Sequence, residues 1–362
     1  MKYRMYTLGE LAQIKYGKNQ KKVVSDEGTI PIYGTGGLMG YATEALYSQP
    51  SVLIGRKGSI GKVKYVEHPF WTVDTLFYTI VNTEIVIPKY LYYLMSQLDL
   101  NIYNEGTTIP SLRTETLNRL EFQIPSLKEQ EIVLAYMDPL AEKIELNNKI
   151  NKNLLEQAHA VFDKFYGESS QQQLFTSLIK VLGGGTPKTG DPDFWGGSIP
   201  FFTPKDVGAP YTFQTEKYIT ESGLAHCNSR FFPQNTTFVT TRGTVGKVSL
   251  AGTPMAMNQS CYALISENVD PLLVYFYALK AVSSLKHKAS GAVFDAIVTR
   301  DFEREVIKVL SNQDSQTVLS IINPMMKAIY NNSEENMQLS ELRDTLLPKL
   351  MSGELDVSSI DF

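Results

Sequence analysis

An internal repeat constrains the fold of this 362-residue chain more than any other feature. The sequence GSIGKV at residues 58–63 corresponds to GTVGKV at residues 243–248, and the same offset continues without a gap over the following segments. Upstream, IPIY at residues 30–33 aligns with IPFF at residues 199–202 at a shorter separation. The sequence therefore predicts two copies of one unit, whose first parts have diverged.

The first part of each copy, residues 1–125 and 171–310, is rich in glycine, threonine, valine and aromatic residues. Its short apolar runs, such as residues 51–54 and 237–240, are punctuated by glycines and predict strands joined by turns. A few helices are expected among them, because some segments crowd apolar residues after a proline. These helices are predicted over residues 89–98 and 271–279.

The second part of each copy, residues 126–170 and 311–362, predicts a long helix. Seam residues recur at alternating steps of four and three, from Val133 to Phe165 and again from Val318 to Leu350. This alternation is typical of a coiled coil. The two helices can bury their seams against each other, or each can pack on its own domain. The length of the seams favours mutual pairing in one antiparallel coiled coil.

Prolines and asparagines interrupt both seams at equivalent positions. Pro139 and Pro324 predict that each helix kinks or begins afresh near its start. Asparagine in an apolar seam reduces stability but selects the register in which it finds a polar partner. We therefore expect the four seam asparagines to meet near the middle of the helix pair: Asn147, Asn151, Asn332 and Asn336.

The distribution of charge permits nucleic-acid binding although the net charge is −4. The segments 1–125 and 171–310 each hold 13 Lys and Arg against 11 Asp and Glu, whereas residues 126–170 hold 5 against 8 and residues 311–362 hold 3 against 8. The acidity thus lies in the predicted helices, and the two mixed domains are mildly basic. A DNA-binding role is compatible with this pattern but gains little from it.

Catalytic and metal-binding motifs are missing from the sequence. Its 2 cysteines and 4 histidines lack the spacing of a metal site, and the glycine-lysine pairs lack the remaining residues of a phosphate-binding loop. No apolar run reaches the roughly 18 residues that span a bilayer, and the N-terminus lacks the apolar core of a signal peptide. We expect a cytoplasmic protein with no catalytic residue, no metal site and no membrane contact.

The order of several motifs resembles the specificity subunit of type I restriction-modification systems. GTTIP at residues 106–110 leads to IPSLKEQ at residues 124–130, similar to the family's junction between a recognition domain and a conserved helix. GGGTP at residues 183–187, followed by FWGG at residues 194–197, is similar to the opening of such a domain. LLPKLMSGEL at residues 346–355 is a familiar ending, so the resemblance covers essentially the whole chain.

The resemblance implies an α+β fold with a pseudo-twofold internal repeat, in which two α/β target-recognition domains are joined by two long helices forming an antiparallel coiled coil. The expected segments are recognition domain 1, the central helix, recognition domain 2 and the C-terminal helix, at residues 1–125, 126–170, 171–310 and 311–362. Each domain would read one half of a split site in double-stranded DNA, and the coil would set the spacing.

The resemblance also implies partners. The coil would dock two DNA adenine methyltransferase subunits, and restriction motor-nuclease subunits would join them. S-adenosylmethionine, ATP and magnesium would be bound by those subunits and no cofactor by this chain. The alternative function is a non-catalytic two-domain scaffold that binds only proteins, which the mild overall acidity favours and the divergence of the two domains disfavours.

Candidate DNA contacts lie in two repeated loops and in the divergent segments before them. The loops at residues 56–62 and 241–247 keep basic residues on either side of two glycines, which suits phosphate contact. A hairpin turn whose lysines are merely solvated explains the same pattern equally well. In the divergent segments, Lys, Thr and Asp are side chains that can address base edges. The predicted DNA-binding residues are Lys18, Lys21, Lys22, Tyr33, Thr35, Arg56, Lys57, Lys62, Thr203, Lys205, Asp206, Arg242 and Lys247.

Overall fold

The computed structural model of the chain describes residues 3–208, 210–288 and 296–356. In the first copy the strands are β1 (Arg4–Thr7), β2 (Ala12–Tyr16), β3 (Ile30–Gly34), β4 (Gly37–Ala42), β5 (Ser51–Gly55), β6 (Val63–Val66), β7 (Trp71–Thr72), β8 (Leu76–Val81) and β9 (Glu121–Ile124). Its helices are α1 (Leu8–Leu11), α2 (Pro88–Ser96), α3 (Thr114–Asn118) and α4 (Leu127–Glu168), with a 3₁₀ turn at Leu100–Tyr103.

The second copy contains the corresponding elements. Its strands are β10 (Gln172–Leu174), β11 (Lys180–Gly183), β12 (Trp195–Phe202), β13 (Tyr211–Thr212), β14 (Tyr218–Ile219), β15 (Thr237–Thr240), β16 (Val248–Ala251), β17 (Ala256–Met257), β18 (Cys261–Ile265) and β19 (Val306–Lys308). Its helices are α5 (Phe175–Leu178), α6 (Glu221–Ala225), α7 (Pro271–Lys288), α8 (Thr299–Glu303) and α9 (Asn312–Ser352), with a 3₁₀ turn at Pro192–Phe194.

Each copy contains two main sheets with matching strand order. The first has β2-β8-β5-β6 and β4-β3-β7, and the second has β11-β18-β15-β16-β13 and β14-β12-β17. The directions match too, since β3 runs antiparallel to β4 and parallel to β7, as β12 does to β14 and β17. The second copy differs by β13, which adds a fifth strand parallel to β16. The predicted internal repeat is confirmed.

The predicted strands and helices of the domains are confirmed, with boundaries that change by one or two residues except at the end of α7. β5 and β15 cover the predicted apolar runs, and all their residues are buried, as expected for central strands that carry β-branched and apolar side chains. Helix α2 begins at Pro88, a position at which a backbone N–H would make no hydrogen bond within the helix, so its absence in proline costs nothing. Helix α7 begins at Pro271 as predicted but continues to Lys288, beyond the predicted end.

The two long helices pass through their prolines. Pro139 lies inside the 42 residues of α4, and α9 runs for 41 residues through Pro324. The expectation that a new helix begins at either proline is wrong. The turn before each proline is held by fully buried seam side chains, Met137 in α4 and Ile322 in α9, and this packing offsets the lost backbone hydrogen bond.

The chain forms two compact units, one of residues up to 143 together with those from 339 onward, and one of residues 144–338. In the first unit, Val133 of α4 and Leu350 of α9 belong to the core of the first domain. In the second unit, Phe162 of α4 and Val318 of α9 belong to the core of the second domain. Mutual pairing of the helices and packing on a domain were alternatives in the sequence. Both helices pack on the domain of each unit, and in the second unit side-chain hydrogen bonds also join them to each other.

Candidate nucleic-acid interface

The four seam asparagines lie together within the second unit. Asn147 Nδ2 donates to Asn336 Oδ1 at 2.9 Å, and Asn332 Nδ2 donates to Asn151 Oδ1 at 2.8 Å. Asn147 is 1% exposed and also donates to Glu335 Oε2 at 2.7 Å. Residue numbers rise along α4 while those of the partners fall along α9, so the helices run antiparallel here. The proposed role of these residues in selecting the register stays a prediction.

In the first domain, the predicted phosphate loop joins β5 to β6 and is braced by a second loop. Gly58 has φ +81°, which favours glycine, and its N–H donates to Pro110 O at 2.9 Å. Leu112 N donates to Arg56 O at 2.9 Å. These bonds tie the loop to residues 104–112, and Lys57 is left exposed beside the turn.

Arg56 itself is engaged within the protein. Its guanidinium carbon lies 4.9 Å from the ring centroid of Tyr16, and Nη1 donates to Asp74 O at 2.8 Å. Stacking on an aromatic face and a backbone acceptor hold the side chain in one orientation. Arg56 is therefore placed to support the loop, whereas Lys57 and Lys62 are exposed to solvent.

A cleft of about 280 Å³ brings Thr35 and Lys62 together with Tyr33 in the first domain. Tyr33 is 7% exposed, burial raises the pKa of its phenol, and its hydroxyl lies 3.3 Å from His68 Nε2. Lys64 Nζ lies 3.9 Å from the Tyr33 ring centroid, and burial lowers the pKa of this ammonium. Tyr33 thus forms the floor of the cleft, and Thr35 and Lys62 line it with side chains more open to solvent.

The three early lysines are exposed on the same domain. Lys18 is anchored through its backbone, since its N–H donates to Thr72 O at 2.8 Å and its carbonyl accepts Trp71 Nε1–H at 2.9 Å. Lys21 and Lys22 follow in an exposed turn. All three ammonium groups are available for a polyanion.

In the second domain, the loop between β15 and β16 is contacted by a cation of helix α7 that sequence reasoning missed. Gly243 and Gly246 have φ +76° and +70°, and Lys286 Nζ donates to Gly246 O at 2.8 Å. Burial lowers the pKa of Lys286, and the positive charge of Lys247 lowers it further. The repeat was the signal that could have identified Lys286. Its counterpart in the first copy is Asn101, which packs against Gly61, the counterpart of Gly246.

The turn at residues 203–206 is stabilised by its own polar groups. Thr203 N and Oγ1 donate to Asp206 Oδ2 at 2.8 and 2.6 Å, and Glu216 N donates to Asp206 Oδ1 at 2.7 Å. Both carboxylate oxygens therefore already accept hydrogen bonds inside the protein. This arrangement suits a turn that positions its neighbours better than side chains that read bases.

That turn lies beside the glycine loop of the same domain. Thr244 Oγ1 donates to Pro204 O at 3.2 Å, which joins the two segments. Lys205, Arg242 and Lys247 are exposed on them, and Lys205 Nζ lies 3.5 Å from Glu216 Oε2. All three predicted cations of the second domain thus belong to two joined loops, and Lys286 of helix α7 contacts one of them.

Within residues 3–208, 210–288 and 296–356, no group of three or more His, Cys, Asp or Glu side chains is arranged to hold a metal ion. In the same part of the chain, every helix is too short or too polar to cross a membrane.

Comparisons with known proteins agree with this arrangement. The family model of the type I restriction modification DNA specificity domain matches residues 1–156 and 172–341. The specificity subunit of the type I restriction enzyme MjaIX of Methanocaldococcus jannaschii is 23% identical over 87% of this chain and 80% of its own length. The HindI specificity subunit of Haemophilus influenzae is 22% identical over 82% and 84%.

A solved structure shares the fold. The crystal structure of the type I restriction-modification S subunit from M. genitalium matches with a TM-score of 0.66 at 15% identity. The match covers 97% of this chain and 96% of that one. The likeness extends over both copies of the repeat and both long helices.

Proposed function

The chain belongs to the family of type I restriction-modification DNA specificity domains, and on that premise we propose that its two domains read the two halves of a split double-stranded DNA site. It is a non-catalytic recognition subunit. Residues 1–125 and 171–310 form the proposed recognition domains, and residues 126–170 and 311–362 form the helices that set the spacing between half-sites.

The observation that carries this proposal is the combination of matching sheets with different loops. The two domains keep the same strand order, whereas the connection after β3 has two residues and the one after β12 spans residues 203–217. A shared scaffold with divergent loops can present different side chains to different base sequences. Two modules joined by a helical spacer gain affinity when both half-sites are engaged together.

The structural surroundings divide the candidate residues into proposed roles. Exposed cations on the glycine loops are proposed to contact phosphates: Lys57, Lys62, Arg242 and Lys247, joined by Lys286 of helix α7. Side chains on the divergent segments are proposed to reach base edges: Lys18, Lys21, Lys22, Thr35 and Lys205. Residues engaged by their own domain are proposed to support these loops: Tyr33, Arg56, Thr203 and Asp206.

The proposed partners bind the cofactors of the reaction. Two DNA adenine methyltransferase subunits dock on the coil and bind S-adenosylmethionine, and motor-nuclease subunits bind ATP and magnesium. This chain supplies the sequence specificity and binds none of these cofactors. The complex is proposed to act in the cytoplasm, where it meets the DNA.

The first test is to map methylated adenines by long-read sequencing. Cells that express this chain with its neighbouring methyltransferase are compared with cells that express the methyltransferase alone. The expected result is a new split motif that requires this chain. If the complex assembles, a control specificity subunit works and no motif appears, DNA reading is wrong and the protein-binding scaffold takes its place.

A second test addresses the spacer. The seam from Val133 to Phe165 extends for roughly 48 Å at about 1.5 Å per residue. Inserting one heptad into both helices should change the tolerated gap between the half-sites and leave each half-site unaltered. An unchanged gap in the methylation map would contradict the spacer role.

A further inference from the structure

The first domain exposes an apolar hairpin at the edge of its three-stranded sheet. Strands β3 and β4 are joined by Thr35 and Gly36, and β4 is the edge strand. Leu38 and Met39 follow the turn and are 54% and 57% exposed. Tyr41 and Val24 extend this apolar surface. Edge strands usually avoid such side chains, so a binding partner is the physical explanation for them.

The backbone of the hairpin is shaped to present these side chains. Gly37 has φ +111°, and open space surrounds the positions where Cβ atoms would lie at Gly36 and Gly37. A Cβ at Gly34 would overlap Met39 Sδ, so glycine is needed for Met39 to lie across the start of the turn. The turn is therefore narrow and open to solvent, with two flexible apolar side chains at its base.

Positive charge surrounds this apolar surface. Lys62 lines the cleft that also contains Thr35, Gly36 and Gly37. Lys18 is bonded through its backbone to Thr72, which pairs with Tyr33 of β3. An apolar tip flanked by lysines is complementary to a DNA groove, in which stacked bases lie between two rows of phosphates.

Carboxylates lie near both ends of the hairpin, and exposed Asp74 is near the turn because it follows Val73, whose N–H donates to Tyr33 O at 3.0 Å. Asp26 and Glu27 precede Gly28, whose Cα is packed against the backbone of Ala42 at the far end of β4. They are therefore separated from the turn by the length of the strand. At the turn, Lys18 and Lys62 outnumber Asp74, so the net charge there is positive and favours a polyanion.

We propose that Leu38 and Met39 insert from the minor groove into a base step of the half-site that the first domain reads. The proposal rests on the proposed DNA-reading function and adds a physical mode of recognition to it. Apolar side chains inserted in this way unstack and kink DNA, and the energy depends on the base step. In the second domain, β14 follows the long 203–217 connection, and its Ile219 is fully buried, so distortion is expected in one half-site only.

The test uses the assembled complex with its methyltransferase subunits and duplexes that contain the mapped motif. 2-Aminopurine replaces one base at a time in both half-sites, except at the methylated adenine. The variant Leu38→Ala/Met39→Ala removes the wedge, and Leu38→Met/Met39→Leu exchanges the two side chains and keeps their apolar volume. Both residues are exposed, so the variants should fold normally, which thermal unfolding checks.

The unsubstituted and exchanged chains should brighten 2-aminopurine at one step of one half-site. The alanine variant should lose this signal and bind about tenfold more weakly, because two apolar side chains no longer contact the bases. If the alanine variant keeps the signal, or if no step brightens with the unsubstituted chain, the wedge is wrong.

Two other outcomes are distinguishable. If the alanine variant fails to assemble with the methyltransferase, the hairpin is a protein-docking surface and the wedge is also wrong. If the unsubstituted complex yields no methylation motif, the DNA-reading function itself fails, before any variant is compared.

Discussion

The two recognition domains have their equivalent strands in the same order, but the connections that follow β3 and β12 differ. After β3, a two-residue turn returns the chain directly as β4, which becomes an exposed edge strand. After β12, residues 203–217 intervene and include β13, which extends the neighbouring sheet beside β16. The same scaffold thus supports an apolar hairpin in one copy and a longer polar connection in the other.

This difference shows that the loops between strands can vary in sequence and length while the fold is kept. Every residue of β5 and of β15 is buried, so substitutions there affect the core. The loops that follow are solvated and tolerate length and charge changes. A protein that must read two unrelated half-sites needs this separation of a constrained core from variable loops.

The largest expected effect comes from substitutions in the core of one unit, which should destabilise that unit first. Phe162 is fully buried and its ring stacks on Phe276 with centroids 5.0 Å apart, and its counterpart Leu347 is 3% exposed in the first unit. Phe162→Ala should lower the free energy of unfolding by about 3–5 kcal/mol and Leu347→Ala by about 2–5 kcal/mol. Hydrogen exchange should show the loss of protection first in the unit that contains the substitution.

The matched control is Leu342→Ala, on the same helix as Leu347 but 46% exposed. It should change the free energy of unfolding by less than about 1 kcal/mol. Equal loss of protection in both units for each core variant would mean that the units do not unfold separately.

Substitutions in the asparagine cluster test what sets the register of the two long helices. Replacing Asn147, Asn151, Asn332 and Asn336 by leucine should raise stability by about 1–4 kcal/mol, because one buried and three half-buried polar groups in the seam are exchanged for apolar ones. It should also permit mis-registered or multimeric species, which light scattering after size-exclusion chromatography would detect. A single well-behaved monomer would contradict the register role.

The charged loops allow the domains to be compared in DNA binding. Lys57→Ala/Lys62→Ala and Arg242→Ala/Lys247→Ala should each reduce the slope of log affinity against log salt by about two, since each removes two proposed phosphate contacts. The methylated motif should stay the same. Lys180→Ala, which removes a lysine paired with Glu267, is the control and should leave the slope unchanged. A reduced slope in one domain only would restrict phosphate contact to that domain.

The smallest expected effect concerns the glycines of the same loops. Gly246 has φ +70° and a Cβ there would overlap Lys286 Cε, so Gly246→Ala should cost about 1–2 kcal/mol of unfolding free energy. At Gly61 a Cβ would lie 2.6 Å from Asn101 Nδ2, the end of an exposed side chain that can move. Gly61→Ala should therefore cost less than about 1 kcal/mol. Chemical denaturation of both variants measures the difference, and equal costs would contradict this comparison.

Much of the fold was predictable because its signals repeat along the chain. The offset between the two copies, the four-and-three spacing of the seams and the paired asparagines are all visible in the sequence. At Pro139 and Pro324 the sequence left open a kink or a new helix. The helices are continuous because buried seam side chains stabilise what local proline chemistry opposes.

The candidate site was predicted only in part. The glycine loops and their exposed lysines were found from the repeat, but Arg56 stacks on Tyr16, forty residues earlier, and Lys286 reaches Gly246 from forty residues later. Tyr33 and Asp206 have side chains suited to DNA contact and are nevertheless engaged by their own domain. Residue type shows what a side chain can bind, and its neighbours in space decide what it does bind.

By itself, the sequence determined that this protein consists of two related domains and two long helices, because the spacing of apolar residues and the glycines of turns act on nearby residues in the chain. The pairing of those helices was favoured but left open. Only the tertiary structure decided which cations stay exposed, which polar groups are satisfied and which strand forms an apolar edge. Those outcomes depend on contacts between residues far apart in the chain, and packing rather than local propensity selects them.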